Sequence, residues 1–200
     1  MLIISLWTSL LGFTEPIFVP AYWSPPSLFD LAHRTGFDIE SLIFAFAAGG
    51  IVFSLYSAIF HKIERKISSN HHSYRHRFHR AIWWSVPVLI IFFFFSTNLN
   101  PIYDFIIAGT IGGLLAAYCR PDLTKKMFIS AVLFFILYYF YFLVLIAAYP
   151  GYVRQVWNLE NLSGVLVTGI PLEELLFAII LGFYWSSVYE HFTWRRLKNL

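Results

Sequence analysis

KMFISAVLFFILYYFYFLVLIAAY (126–149) carries a charge only at its first residue, and its 24 residues exceed the roughly 20 that take an α-helix across the hydrocarbon of a bilayer. Such a run reads as a transmembrane span. Working outward from it, five further apolar runs lie at about 1–19, 39–60, 81–97, 102–119 and 165–189, and the segments between them hold nearly all the Pro, Asn, Lys and Arg. Asn98-Leu99-Asn100-Pro101 separates two of the runs as a tight turn, because Asn and Pro favour turn geometry over helix continuation. Over the 200 residues, 58% are apolar, 12% are charged and the mean hydropathy is +0.66, more apolar surface than a water-soluble fold could hide. The expected fold class is all-α, a polytopic transmembrane helical bundle of about six spans. Met1 to Phe13 lack a basic leader and a small-residue cleavage site, so they read as the first span rather than a removed signal peptide.

The basic residues set the direction. Lys62, Arg65, Lys66, Arg75, Arg77, Arg80, Arg120, Lys125, Lys126, Arg195, Arg196 and Lys198, twelve of the fourteen, fall in alternate loops, and only Arg34 and Arg154 lie opposite. Six alternating spans then place both termini on the cytoplasmic side of a cell membrane. The net charge of +3 follows from this insertion bias, and no basic groove interleaved with aromatics points to nucleic acid. Most acids sit at the outer side: Glu15, Asp30, Asp38, Glu40, Asp104, Glu160, Glu173 and Glu174.

GFDIESLIFAFAAGGIVFSLY (36–56) overlays GIPLEELLFAIILGFYWSSVY (169–189) at a constant offset of 133, with Gly36/Gly169, Glu40/Glu173, Phe44/Phe177, Gly49/Gly182 and Tyr56/Tyr189 among eight identities in 21 positions. Trp23 and Trp157 correspond with one residue of slippage. The pattern reads as an internal duplication whose two helices run in the same direction. It divides one membrane domain into a first repeat, 1–98 with spans 1–3, and a second, 99–200 with spans 4–6.

Ionisable residues at membrane depth are costly and by default mark a site facing the bundle interior. Glu40 shares a helix face with Phe44, and Glu173 with Phe177, so each repeat helix presents an acid above an aromatic. Glu174 adds a second acid. The alternative reading is that Glu40, Asp38 and Glu173 only cap helix N-termini. Phe44, Phe177 and Tyr184 are candidates for a wall that stabilises positive charge. Tyr22, Trp23, Tyr103, Tyr149, Tyr152 and Trp157 read mostly as an interfacial aromatic belt. His71, His72, His76 and His79 fall in one loop, read as a solvated basic loop, and the lone Cys119 is expected to form neither a disulfide nor a thiolate metal site. Neither a metal nor another cofactor is expected.

EPIFVPAYWSPPSLFD (15–30), GFDIESLIFAF (36–46) and GIPLEELLF (169–177) resemble the lycopene cyclase domain family, the small membrane-bound type of carotenoid beta-cyclase that occurs as two subunits or one fused chain. The most specific element is Pro-x-Glu-Glu at Pro171, Glu173 and Glu174; in the first copy Asp38 stands in place of the Pro and Ser41 in place of the second acid. The resemblance implies Glu173, Glu174 and Glu40 as catalytic acids. It also implies a proton-initiated, redox-neutral cyclisation of the end groups of a linear carotenoid such as lycopene, a lipid-soluble polyene. The other readings are a cyclase of a different isoprenoid and a non-catalytic scaffold or lipid-binding membrane protein. If the repeat helices are equivalent, Glu40 and Glu173 should face one shared apolar cavity, with Phe44 and Phe177 one turn deeper.

Overall fold

Within a bilayer each backbone N–H and C=O needs a partner inside the protein, and α-helices supply it within one segment. In the computed structural model, which describes residues 1–66 and 79–199, the chain opens with α1 (Leu2–Ser9). A 3-10 turn at Leu10–Thr14 leads on to α2 (Glu15–Phe18). Then come α3 (Leu31–Thr35), α4 (Ile39–Ile59) and strand β1 (Lys62–Lys66). The second part comprises α5 (His79–Ser96), α6 (Pro101–Cys119), α7 (Thr124–Ala148), α8 (Tyr152–Val156), β2 (Leu166–Val167), β3 (Ile170–Pro171), α9 (Leu172–Thr193) and β4 (Arg195–Asn199). Among the described residues α4, α6, α7 and α9 are long and apolar enough to cross a membrane, and Leu2–Phe18 and Trp84–Ser96 are shorter apolar helical stretches. The expected all-α membrane bundle is the observed one, with four full-length spans and two shorter apolar segments where six were expected.

The boundaries have local causes. Asp38 is extended and its Oδ1 accepts the Ser41 N–H at 2.5 Å, capping α4. Asn100 caps α6 in the same way through the N–H of Ile102, with Pro101 at the first helical position. The last apolar run becomes helical only at Leu172. Residues 166–171 instead form a small hairpin turned by Thr168 and Gly169 at φ 53° and 87°, a backbone region that helices exclude.

α9 is the core helix, packed against α7, α6 and α4. Of its most apolar stretch 67% is buried, against 28–44% for the other three long spans. The outward faces carry exposed Phe95, Val144 and Ile43, as lipid-facing surfaces do. Close approach depends on Gly182: a Cβ there would lie 2.8 Å from the Cα and 2.9 Å from a neighbouring carbonyl oxygen of the α7 backbone at Ala131 and Ser130. Gly49, its counterpart in α4, faces the side chain of Thr8 on α1.

The end at which α4 and α9 finish is polar. β1 pairs antiparallel with β4, Glu64 opposite Leu197 and Lys66 opposite Arg195. Lys126 and Glu190 form a fully buried ion pair, with the Lys126 ammonium over the Phe53 ring. Arg120, also buried, holds Asp122 through two 2.8 Å hydrogen bonds and donates to the carbonyls of Glu190 and Arg195. Burial would raise the Asp122 carboxyl, yet the hydrogen bonds and charge of Arg120, aided by Arg196, hold it below the usual carboxylate range. Its contribution to stability is thus present at neutral pH and lost as pH falls through that depressed value. Of the four-His loop expected to be solvated, His71, His72 and His76 lie outside the described residues. His79 is buried instead, stacked on His191 and Trp194, because it already belongs to the first turn of α5.

Gly182→Ala should lower the unfolding free energy in detergent by about 1–3 kcal/mol, the usual cost of overpacking, because backbone cannot yield as a side chain can. Gly49→Ala should cost more, since the added Cβ would lie 2.3 Å from the Cβ of Thr8, an atom that side-chain rotation cannot move away. Thermal unfolding of both variants checks this ordering, which equal losses would contradict.

Candidate active site

At their first turns α4 and α9 are matched residue for residue: Asp38 and Pro171 are the caps, Glu40 and Glu173 stand at the second helical position, and Ser41 and Glu174 at the third. Successive helical residues diverge by about 100°, and in α9 the two adjacent glutamates turn to different partners. Glu174 turns into the bundle. Its Oε1 accepts from the Tyr22 hydroxyl at 2.5 Å and the Trp157 indole N–H at 2.8 Å, and its Oε2 from the Tyr138 hydroxyl at 2.6 Å. Glu173 turns toward α6, where Oε1 accepts from the Tyr103 hydroxyl at 2.6 Å and the Ser163 N–H at 2.8 Å.

The donors to Glu174 come from three separate segments. Tyr138 lies on α7, Trp157 follows α8, and Tyr22 follows α2. Two main-chain hydrogen bonds, Ser24 N–H to Val156 O at 2.7 Å and Asn158 N–H to Tyr22 O at 2.9 Å, join the last two segments as a β-bridge between Trp23 and Trp157. The two indoles lie 5.6 Å apart. Burial, and after it the negative charge of Glu174, push the Tyr22 hydroxyl well above its ordinary range, so it remains a donor.

Beside Glu174 a cavity of about 410 Å³ runs between α2, α4, α7 and α9, within the roughly 300–1,000 Å³ of small-molecule sites. Its wall is largely apolar and aromatic, with Phe44, Phe105, Tyr138, Phe142, Trp157 and Phe177 among its residues. Glu174, Glu15, Asp38 and Glu40 line it as acids. Glu40 and Phe44 are exposed and stand where it reaches the surface; Glu40 accepts the Leu28 N–H at 2.7 Å.

The sequence-derived candidates therefore separate. Glu40, Glu174, Phe44 and Phe177 line one cavity, whereas Glu173 lies outside its lining and Tyr184 is buried between α9 and α6, beside Ile82 and Ala116. The expected Glu40–Glu173 pairing across the cavity is replaced by Glu40 and Glu174, Glu173 being engaged instead by Tyr103 and Ser163. The belt reading is corrected for Tyr22 and Trp157, which are 4% and 6% exposed and serve as donors to a buried acid. Tyr138 and Glu15 were not among the candidates; the Trp23/Trp157 match in the repeat was the signal pointing to this region.

A second set of potential ligands, His79, Cys119 and His191, lies at the opposite end of the bundle with its ligand atoms within 4.8 Å of one another. The histidine rings are stacked at 4.0 Å with planes 2° apart. An ion coordinated by imidazole lies near the ring plane, and two parallel offset planes cannot both contain it. The His79 Nε2 faces the His191 carbonyl at 2.8 Å and its Nδ1 faces Cys119 Sγ at 3.4 Å, an interlock of α5, α6 and α9.

A buried carboxyl held by three donors thus stands at the wall of a largely apolar cavity inside a membrane bundle. Residues 100–192 match the family model described as lycopene cyclase. No curated protein and no solved structure matches the chain. The matched part contains Tyr103, Tyr138, Trp157, Glu173 and Glu174, while Glu15 and Tyr22 lie before it.

Tyr138→Phe removes one of the three hydrogen bonds to the buried Glu174 carboxyl and should lower the unfolding free energy by about 1–3 kcal/mol. Tyr141→Phe, on the same helix but half exposed, should change it by less than about 0.5 kcal/mol. Denaturation in detergent distinguishes them, and equal effects would contradict a stabilising role for the bonded acid.

Proposed function

We propose that the chain is a carotenoid cyclase, an intramolecular lyase or isomerase that closes the end groups of a linear polyene such as lycopene without net oxidation or reduction. The observation that carries this reading is Glu174, a buried carboxyl with three donors beside an apolar aromatic cavity, within a stretch that matches the lycopene cyclase family. The reaction needs a proton delivered to a terminal double bond, attack of the next double bond on the resulting cation, and loss of a proton from the closed ring. A carboxyl pair in a dry cavity can do both transfers, and the faces of Phe177, Tyr138 and Trp157 stabilise positive charge between them.

Among the acids of the sequence reading, Glu174 takes the central part. Glu40 stands at the mouth of the cavity, and Glu173 ties α9 to α6 through Tyr103. Phe44 and Phe177 contact the apolar chain. The substrate reaches the cavity from the lipid, where a polyene is already dissolved. The bias of Lys and Arg supports a cell-membrane location with both termini cytoplasmic.

Expression in lycopene-accumulating cells with pigment extraction tests the assignment. Monocyclic or bicyclic carotene is the expected product, and persistent linear lycopene beside well-inserted protein would sink it. Glu174→Gln should lower cyclic product by about 10²-fold or more, within the range for removing a general acid or base. Glu40→Gln and Glu173→Gln should stay within about tenfold of the parent, being outside the reacting centre. A new cyclic isoprenoid other than a carotene, found by comparing lipids of cells with and without the gene, would move the substrate class and keep the chemistry.

A further inference from the structure

In the second half of the chain the cavity acid stands on the repeat helix itself, at Glu174. In the first half that position is Ser41, a small hydroxyl 8% exposed that also lines the cavity. The space so vacated is not left without a carboxyl. Glu15, from the short α2, is 7% exposed, lines the same cavity, and faces the side chains of Ser41 and Trp23. Trp23 is the repeat partner of Trp157, the indole that donates to Glu174. The adjacent residues Tyr22 and Trp23 thus serve two acids: Tyr22 bonds Glu174, and Trp23 faces Glu15.

The two carboxyls differ in their hydrogen bonds. Glu174 receives three donors shared over both oxygens, an environment for the anion. The Oε1 of Glu15 is buried with no hydrogen-bond partner. A bare carboxylate oxygen in an apolar cavity is costly, whereas the O–H of a neutral carboxyl directed at a ligand is the form such an oxygen accommodates. Protonating an alkene requires that neutral form, and removing a proton from a carbocation requires only a carboxylate, however well solvated by donors.

We infer that Glu15 is the acid that protonates the terminal double bond and Glu174 the base that takes the proton from the closed ring, the first repeat's acid having moved from the α4 position at Ser41 to α2. This rests on the cyclisation reading. In the step, the Glu15 O–H breaks as a C–H bond forms at the terminal alkene, and the electron-deficient carbon is captured by the next double bond to make the ring C–C bond. A ring C–H then breaks, its electrons forming the new double bond and its proton passing to Glu174. The substrate is isomerised, and one proton has moved from Glu15 to Glu174. Exchange with water at the mouth beside Glu40 restores both.

The test compares wild type, Glu15→Gln, and Glu15→Gln combined with Ser41→Glu in lycopene-accumulating cells, with cyclic carotene normalised to folded, membrane-inserted protein. The inference expects Glu15→Gln to lose about 10²–10⁴-fold of product. It expects the double variant, which returns a carboxyl to the position matching Glu174, to recover at least about tenfold over the single one. Membranes supplied with preformed, unlabelled lycopene in heavy water should place one deuterium per ring in the wild-type product. Wild-type yield from Glu15→Gln, or a double variant no better than the single one, overturns the assignment while cyclisation by the wild type still stands. Absence of cyclic carotene from the wild type overturns the cyclisation reading and this assignment with it.

Discussion

A carboxylate inside a bundle surrounded by lipid has no water to solvate it, so the protein must bring the donors. Glu174 sets this constraint on the fold. Its three donors come from α7 and from two loop segments, those of Tyr22 and Trp157, that lie 135 residues apart in the sequence. To deliver Tyr22, the chain after α2 must lie against the chain after α8, which the Trp23–Trp157 bridge accomplishes with main-chain hydrogen bonds. To deliver Tyr138, α7 must approach α9 closely, which requires Gly182 at the contact with Ala131. The cavity lies between elements that this one acid draws together.

The two pairings between the halves follow one geometry. An antiparallel pairing of equivalent segments is what a local two-fold rotation produces. With the offset of 133, Glu64 and Leu197 are equivalents, and they face each other at the centre of the β1–β4 ribbon. Trp23 and Trp157 do so at the other end of the bundle. α4 and α9 pack on each other. The matched positions differ in their polar details: an acid at 174, a serine at 41, and a carboxyl on α2.

What the sequence made legible is what the membrane demands. Long apolar runs such as 126–149 admit few readings, and the constant offset between 36–56 and 169–189 survives in Gly, Glu and Tyr. The unread parts share a cause, since residue type alone does not separate an interface from a buried partner. KIERK (62–66) reads as a charged loop until its pairing with 195–199 is seen. Lys126 and Glu190 read as outside the apolar core, yet each neutralises the other within it. Tyr22 and Trp157 have the composition of a belt, and only the three-dimensional course of the chain aims them at Glu174. Which of two adjacent glutamates enters the cavity depends on where the helix begins, and the hairpin before Leu172 decides that.

The shape of the cavity also bears on the fate of a cation formed in it. In the proposed cyclisation water is the competitor, because capture by water would give an alcohol in place of a ring double bond, and apolar walls around the reacting end group disfavour that route. The wall near Glu174 answers both needs: Tyr138, Phe142, Trp157 and Phe177 exclude water, and their ring faces attract positive charge by about 2 kcal/mol or more each when desolvated and well placed. The hydroxyl of Tyr138 is fixed on Glu174 and so is not free to act as a nucleophile. The same aromatic packing that makes a bundle rigid in lipid thus serves chemistry, provided that the polar tip of each ring is bound by an acid. Under the proposed cyclisation, satisfying the buried carboxyl and protecting a carbocation become one requirement, met by the same side chains.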